Sequence, residues 1–270
     1  MYSGTTFSRF SGNVLGAHQK IDRLARRNLK RLVSEDHFPA AKSILHFEGH
    51  NGPDAIKRKS PAKDEPWHYM QPFDKSDTQL TELIESHYRQ LVKALKDRDE
   101  VRASFEAAWL AHAVVDGLTP AHHFPYEEKL VELAEGRDIS ERTSISKKII
   151  LPGESKGKQI KNNWQMWGPK GIFTTHAAFE MGIAVLMLPL RFRKFILTND
   201  KIAEFEALPI NQWFRGLAQD VARLELYDAF YESGWTISLA RRVRRQLAPT
   251  LVQAVAVMWY SAAREAGIAN

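Results

Sequence analysis

Apolar positions in this chain recur every three or four residues, and the every-second-residue alternation of a half-buried strand is almost nowhere found. Between positions 13 and 33, Val14, His18, Ile21, Ala25, Leu29 and Leu32 fall on one stripe, while Lys20, Arg23, Arg26, Arg27, Lys30 and Arg31 mostly take the other side. This predicts a helix with His18 turned inward. The same periodicity predicts helices over 76–96 and 100–115, the second stopped by Gly117 and Pro120. Further helical patterns cover 127–135, 173–188, 213–231 and 238–266, the last broken or kinked at Pro249. Two stretches read as loops: 49–73, with four prolines, and 151–171, rich in Gly, Lys and Asn. The second is long for a structureless connection, and such loops usually carry function or mobility. Trp67 in the first, and Trp164 and Trp167 in the second, suit packing against a core better than a solvated linker. The expectation is an all-α, multi-helix fold forming a single domain over 1–270, with a long insertion at about 126–171.

Composition narrows the chemistry. With 44% hydrophobic and 26% charged residues over 270 positions, the chain is neither disordered nor a bare coiled coil. It contains no cysteine, so any metal must be held by His, Asp or Glu, and ten histidines leave room for that. The net charge of +6 favours anionic partners, whether phosphate groups, nucleic acid or acidic lipid. No run reaches the roughly 18 apolar residues of a membrane span, the nearest being 182–190, which Arg191, Arg193 and Lys194 stop. The first twenty residues hold no continuous apolar segment followed by a small-residue cleavage site, so a cytoplasmic product is expected.

His112 and Asp116 stand four apart on the third predicted helix, which puts both on one face a single turn from each other, together with Phe105 and Trp109. A carboxylate on an apolar stripe costs several kcal/mol by desolvation unless a cation or hydrogen-bonding partner compensates, and a metal ion would do so. His122 follows Pro120 in a turn able to bring a third ligand back, completing H-x-x-x-D-x-x-x-x-x-H. His176 and Glu180 repeat the four-residue spacing beside Phe173, Ile183 and Met187. Nitrogen and oxygen ligands in a chain without thiolates suit zinc, and sets of this kind with an open position are typical of catalytic sites. Taken singly, each residue has a plainer reading. An inward His18 is commonly a hydrogen-bonded core histidine, Asp54 after Pro53 is ordinary turn chemistry, and a lone His-acid pair is usually structural.

The set in chain order resembles the zinc-dependent phospholipases C and the single-strand nucleases that share their all-helical fold and three-zinc site. His18 matches the ligand on that family's first helix. Asp54 and His68 match an Asp and His with the fourteen-residue gap preserved, and His112, Asp116 and His122 match the central segment. His176 and Glu180 match the final pair, where glutamate, in place of the nucleases' aspartate, favours the phospholipases. The resemblance spans about 13–180; beyond it the chain is similar only in being helical.

The resemblance implies a multi-helix bundle around a central cluster of two or three zinc ions. Asp54, His68, His112 and Asp116 would hold one, His122, His176 and Glu180 a second, and His18 with a bridging Asp116 a third. It implies a metal-activated water as nucleophile, Asp54 as the catalytic residue taking its proton, and a phosphodiester substrate, a phospholipid before nucleic acid. Glu48 and His50 stand close by as alternatives to Asp54, and His123 as an alternative to His122 that breaks the family spacing. Secreted members complete the third zinc with an N-terminal tryptophan. Here the chain begins Met1-Tyr2, so the third position is either missing, or rests on His18 and Asp116, or recruits backbone of residues 1–5. The 54-residue gap between His122 and His176 holds the insertion, which would lid the site or reshape substrate choice. The basic clusters at 57–59, 156–161, 191–194 and 241–245 read as solvated faces, with a nuclease using the same metals and a non-catalytic helical metal-binding protein as the rival functions.

Overall fold

A computed structural model describes residues 1–3, 15–33, 37–59, 67–137, 141, 143–191 and 195–269, so Val14, Arg193 and Lys194 lie outside it. The fold is all-α, as the periodicity predicted, and the described residues contain no strand beyond an isolated bridge between Val33 and Ala269. In chain order the helices are α1 (Ala17–Leu29), α2 (Ala41–His46), α3 (Pro53–Lys59), α4 (Gln79–Lys96), α5 (Glu100–Gly117), α6 (Tyr126–Leu133) and α7 (Ile145–Ile149). They continue with α8 (Lys156–Trp167), α9 (Ile172–Met187), α10 (Asn199–Glu206), α11 (Ile210–Ala222), α12 (Leu226–Ser233), α13 (Ile237–Arg242) and α14 (Ala248–Glu265). No helix among the described residues is long and apolar enough to cross a membrane.

The centre of the molecule is the α4–α5 hairpin crossed by α1 and α14. A three-residue turn joins α4 to α5, with Arg98 in the left-handed region at φ 56° and the Asp99 side chain accepting from the Arg102 amide at 2.9 Å to cap α5. Helix α14 is apolar almost all round and correspondingly buried, with Trp259 fully enclosed and its indole N–H donating to the Ala107 carbonyl at 3.0 Å. Helix α5 is buried nearly as completely from Ala103 to Gly117, with His112 and Asp116 among its buried residues. Gly117 closes α5 where a Cβ would come within 2.6 Å of Leu80 and 2.7 Å of Phe214, so the glycine that stops the helix also lets α4 and α11 approach it.

Several sequence expectations are refined. Arg26, assigned to the polar face of the first helix, is buried and donates to the carbonyls of Pro39 and Phe38 at 2.7 and 3.0 Å. The 213–231 pattern splits into α11 and α12, because Glu225 adopts a left-handed conformation at φ 48° that a continuous helix does not allow. The break at Pro249 takes the form of a π-helical turn over Val243–Leu247 ahead of α14, which absorbs the hydrogen bond that proline cannot donate. The two stretches read as loops are partly helical: the first contains a 3-10 turn at Gly49–Asn51 and α3, the second contains α8. A second, smaller apolar cluster of Tyr126, Leu130, Ala134, Leu151 and Met166 holds the insertion together, apart from the main core.

Candidate metal centre

All eight residues singled out in the sequence come together. Each lies within 3.7 Å of at least one other, although they arrive from α1, α3, the segment before α4, α5, the turn after α5, and α9. Asp116 is the hub. Its Oδ1 lies 3.3 Å from His18 Nε2 and 3.7 Å from His122 Nδ1, and its Oδ2 lies 2.5 Å from His68 Nδ1 and 3.2 Å from His112 Nε2. The α-amino group of Met1 donates to the same Oδ1, in the neighbourhood where backbone of residues 1–5 was one expected contributor.

Local structure explains each position. The i, i+4 spacing on α5 stacks His112 over Asp116 on a buried face, and the same spacing on α9 sets His176 Nε2 3.0 Å from Glu180 Oε1. Pro120 opens a 3-10 turn, Pro120–His123, that carries His122 back under α5. There its Nδ1 donates to the His68 carbonyl at 2.8 Å, and its Nε2 faces Glu180 Oε1 at 2.9 Å. Such a bond from the far nitrogen fixes the tautomer and leaves Nε2 ready to bind a ligand. His123, the alternative to His122, turns away and donates through Nε2 to the Gly117 carbonyl at 2.8 Å. His18 stacks on His112 with ring centroids 4.0 Å apart and planes 4° from parallel, and both its nitrogens are buried without a hydrogen bond.

Glu48 also belongs to the centre. It is buried, and its Oε1 accepts from His112 Nδ1 at 3.0 Å, while His112 Nε2 points toward Asp54 Oδ1 at 3.7 Å and Asp116. Glu48 and Asp54, weighed as alternatives from sequence, thus face opposite edges of one imidazole. Asp22, one turn after His18 on α1, is buried as well. Its carboxyl is held well above the usual range, by burial first and then by the charge of Glu48.

Three groups of side chains offer ligand atoms lying within 4.8 Å of one another: Asp54, His68 and His112; His122, His176 and Glu180; and His18, Glu48 and His112. Donors sharing one ion at about 2.1 Å must lie within roughly 4.2 Å of each other, so these groups could hold a metal ion after small adjustments. The first two match the expected sets, with Asp116 alongside the first. The third differs from the expected pairing of His18 with Asp116 by drawing in Glu48 and His112.

The electrostatics suit a cation. Burial opposes ionisation of Asp116 and Glu180, yet the Met1 ammonium beside them, followed by the nearby histidines, drives both well below the carboxylate range. In return burial, outweighed by Asp116, Glu180 and Asp54, leaves the Met1 ammonium raised to about 10. Burial, then the neighbouring ammonium, lowers His122 to about 3, so its ring is neutral. His112 is raised well above its ordinary value, burial being overcome by Glu48 and Asp116 together, so a cation bound at its Nε2 would take the place of a proton. An enclosed set of carboxylates with histidine lone pairs and unbonded ring nitrogens is an arrangement that bound cations stabilise.

Compared with protein-family models, with curated proteins and with solved structures, the chain matches none of them. The functional reading therefore rests on the geometry of the centre.

Proposed function

We propose that this chain is a zinc-dependent phosphodiester hydrolase of phospholipase C type, acting on a phospholipid or a similar phosphodiester. The observation that carries this reading is the convergence of eight ligand-type residues, drawn from positions 18 to 180, on one buried centre around Asp116. Scattered structural histidines would satisfy their nitrogens on local partners, whereas here His18 is buried with both unbonded.

Asp54, His68, His112 and Asp116 would hold one zinc and His122, His176 and Glu180 a second, with His18 and a bridging Asp116 as the third place. Bound there, zinc supplies Lewis-acid polarisation of the phosphoryl oxygens and makes an attacking water acidic enough to react near neutral pH. The residues of the chain supply the rest. Asp54, at the first turn of α3, has a side chain 17% exposed where its neighbours His68 and His112 are 4% and 2% exposed, so it stands at the solvent edge and takes the proton of the attacking water. The depressed Asp116 and Glu180 stay anionic, and the neutral His122 keeps its lone pair, so these donors are in the state a cation requires. The walls of α5 and α14 keep bulk water from the inner side.

The test combines elemental analysis with assays on phosphatidylcholine and on single-stranded DNA, with and without chelator. The wild type is expected to carry zinc and to release diacylglycerol in a chelator-sensitive reaction. His112→Ala or Asp116→Ala should lower hydrolysis by at least about a hundredfold and reduce bound zinc. Unchanged zinc content in both variants would overturn the assignment, and cleavage of DNA in place of lipid would transfer the centre to a nuclease.

A further inference from the structure

We infer that the outward face of α7 and α8 and the start of α9 form a docking surface for an anionic phospholipid bilayer. On α8, Ile160, Trp164 and Trp167 recur at helical spacing and form one stripe, while the residues buried on that helix are Asn162 and Met166, on the opposite side. The stripe faces solvent: Ile160 is 71% exposed and Trp164 67%. Trp167 continues it toward the other two segments, with its indole N–H donating to the Ile149 carbonyl at 2.7 Å and its ring 4.6 Å from that of Phe173. Ile149 and Ile150 are about half exposed beside it, at 49% and 54%. Isolated exposed apolar residues need no explanation, but a joined aliphatic and aromatic patch on a surface helix does.

The occupant follows from charge. Between positions 147 and 170 the chain carries six lysines against one glutamate, an excess close to the net +6 of the whole protein. Lys156 stands at the amino end of the stripe, Lys161 flanks it, and both are exposed. Tryptophan, bulky aliphatics and lysine on one face are what an interfacial segment presents to acidic headgroups and the adjoining acyl chains. Single-stranded nucleic acid would use the lysines and indoles, but exposed isoleucines contribute nothing to base stacking or phosphate contact, which favours the bilayer.

The patch is also fixed relative to the centre. Asn162 Nδ2 donates to the Pro152 carbonyl at 2.9 Å, and Asn163 Nδ2 to the Leu151 carbonyl at 2.9 Å, which ties α8 to the chain before it. Met166 packs in the small core with Tyr126. The Tyr126 ring stacks on Tyr69 at 5.4 Å, and Tyr69 lies 5.2 Å from His122. Phe173 precedes His176 by three residues on α9, an axial rise of about 4.5 Å. The substrate named here rests on the phospholipase reading, whereas the docking geometry does not.

Full-length protein is to be co-sedimented with vesicles of phosphatidylcholine alone and of phosphatidylcholine with phosphatidylglycerol, at low and at physiological salt. The wild type should partition at least about tenfold more strongly onto the anionic vesicles, and salt should weaken the partition. The double variant Ile160→Ser with Trp164→Ser, and separately Lys156→Gln with Lys161→Gln, should each lose about tenfold or more in partition, with zinc content and circular dichroism unchanged. Wild-type partition retained in both variants would overturn the inference, as would a wild type that ignores vesicles but binds a single-stranded oligonucleotide through Trp164. Failure of the phospholipase reading would be distinguishable: vesicle binding would depend on the patch, while no chelator-sensitive hydrolysis would be found.

Discussion

A carboxylate that accepts a hydrogen bond from one nitrogen of an imidazole decides which nitrogen keeps its lone pair, and Glu48 does this for His112. Glu48→Ala should weaken zinc binding by about tenfold to a hundredfold in a competitive chelator titration, with Glu48→Gln, whose amide oxygen also accepts, recovering part of the loss. Equal affinity in wild type and both variants would remove Glu48 from the centre. His123, next in sequence to His122, has a different consequence. Its half-buried ring is lowered to about 4 from an ordinary 6.5, by burial against the single bond to the Gly117 carbonyl. The folded protein therefore refuses a proton that the unfolded chain accepts, and stability should fall as pH drops from about 6.5 to about 4. The contribution is up to about 3 kcal/mol, reduced to the extent that water screens the ring. His123→Gln should flatten that part of the pH profile in urea denaturation, and superimposable profiles would contradict this account.

Among the elements, α9 carries two tasks on adjoining faces. One face presents His176 and Glu180 to the centre, and the face next to it packs on Trp235, whose ring stacks with Phe179 at 5.5 Å. Gly182 makes that contact possible, since a Cβ there would come within 2.1 Å of the Trp235 ring. Gly182→Ala should destabilise the fold by about 1 to 3 kcal/mol through overpacking, read as a lower urea midpoint at unchanged slope. Stability equal to wild type would mean that Trp235 moves aside freely. Helix α8 shows why one element was illegible. Its apolar stripe does have helical spacing, but Lys, Gly and Asn separate it, and the stripe serves the outside, so the usual sign of a buried face was missing. The signal that could have found α8 is its amino end, where Ser155 caps the helix by accepting from the Lys158 amide. The 213–231 pattern erred the other way. Apolar spacing runs through Glu225 without interruption, and a left-handed residue leaves no mark on periodicity when it is not glycine or asparagine.

At the scale of the whole molecule, the class of the fold and most of the centre were readable from the chain because both rest on short-range spacing. A period near 3.6 specifies helices, and four-residue intervals put His112 with Asp116 and His176 with Glu180 on single faces whatever the rest of the chain does. Tertiary structure alone decided how the groups share partners: that Asp116 is the hub, that Glu48 and Asp54 flank one ring, that His18 stacks on His112, and that the Met1 amine lies against two carboxylates. These contacts join residues up to 179 positions apart, as Met1 and Glu180 are. Their geometry depends on how α1, α5, α9 and α14 pack, which is set by side-chain volumes summed across the core and not by any local pattern. Glu48 lies in a turn between short helices, so no period placed it, and only the approach of α2 to α5 brought its carboxylate to His112.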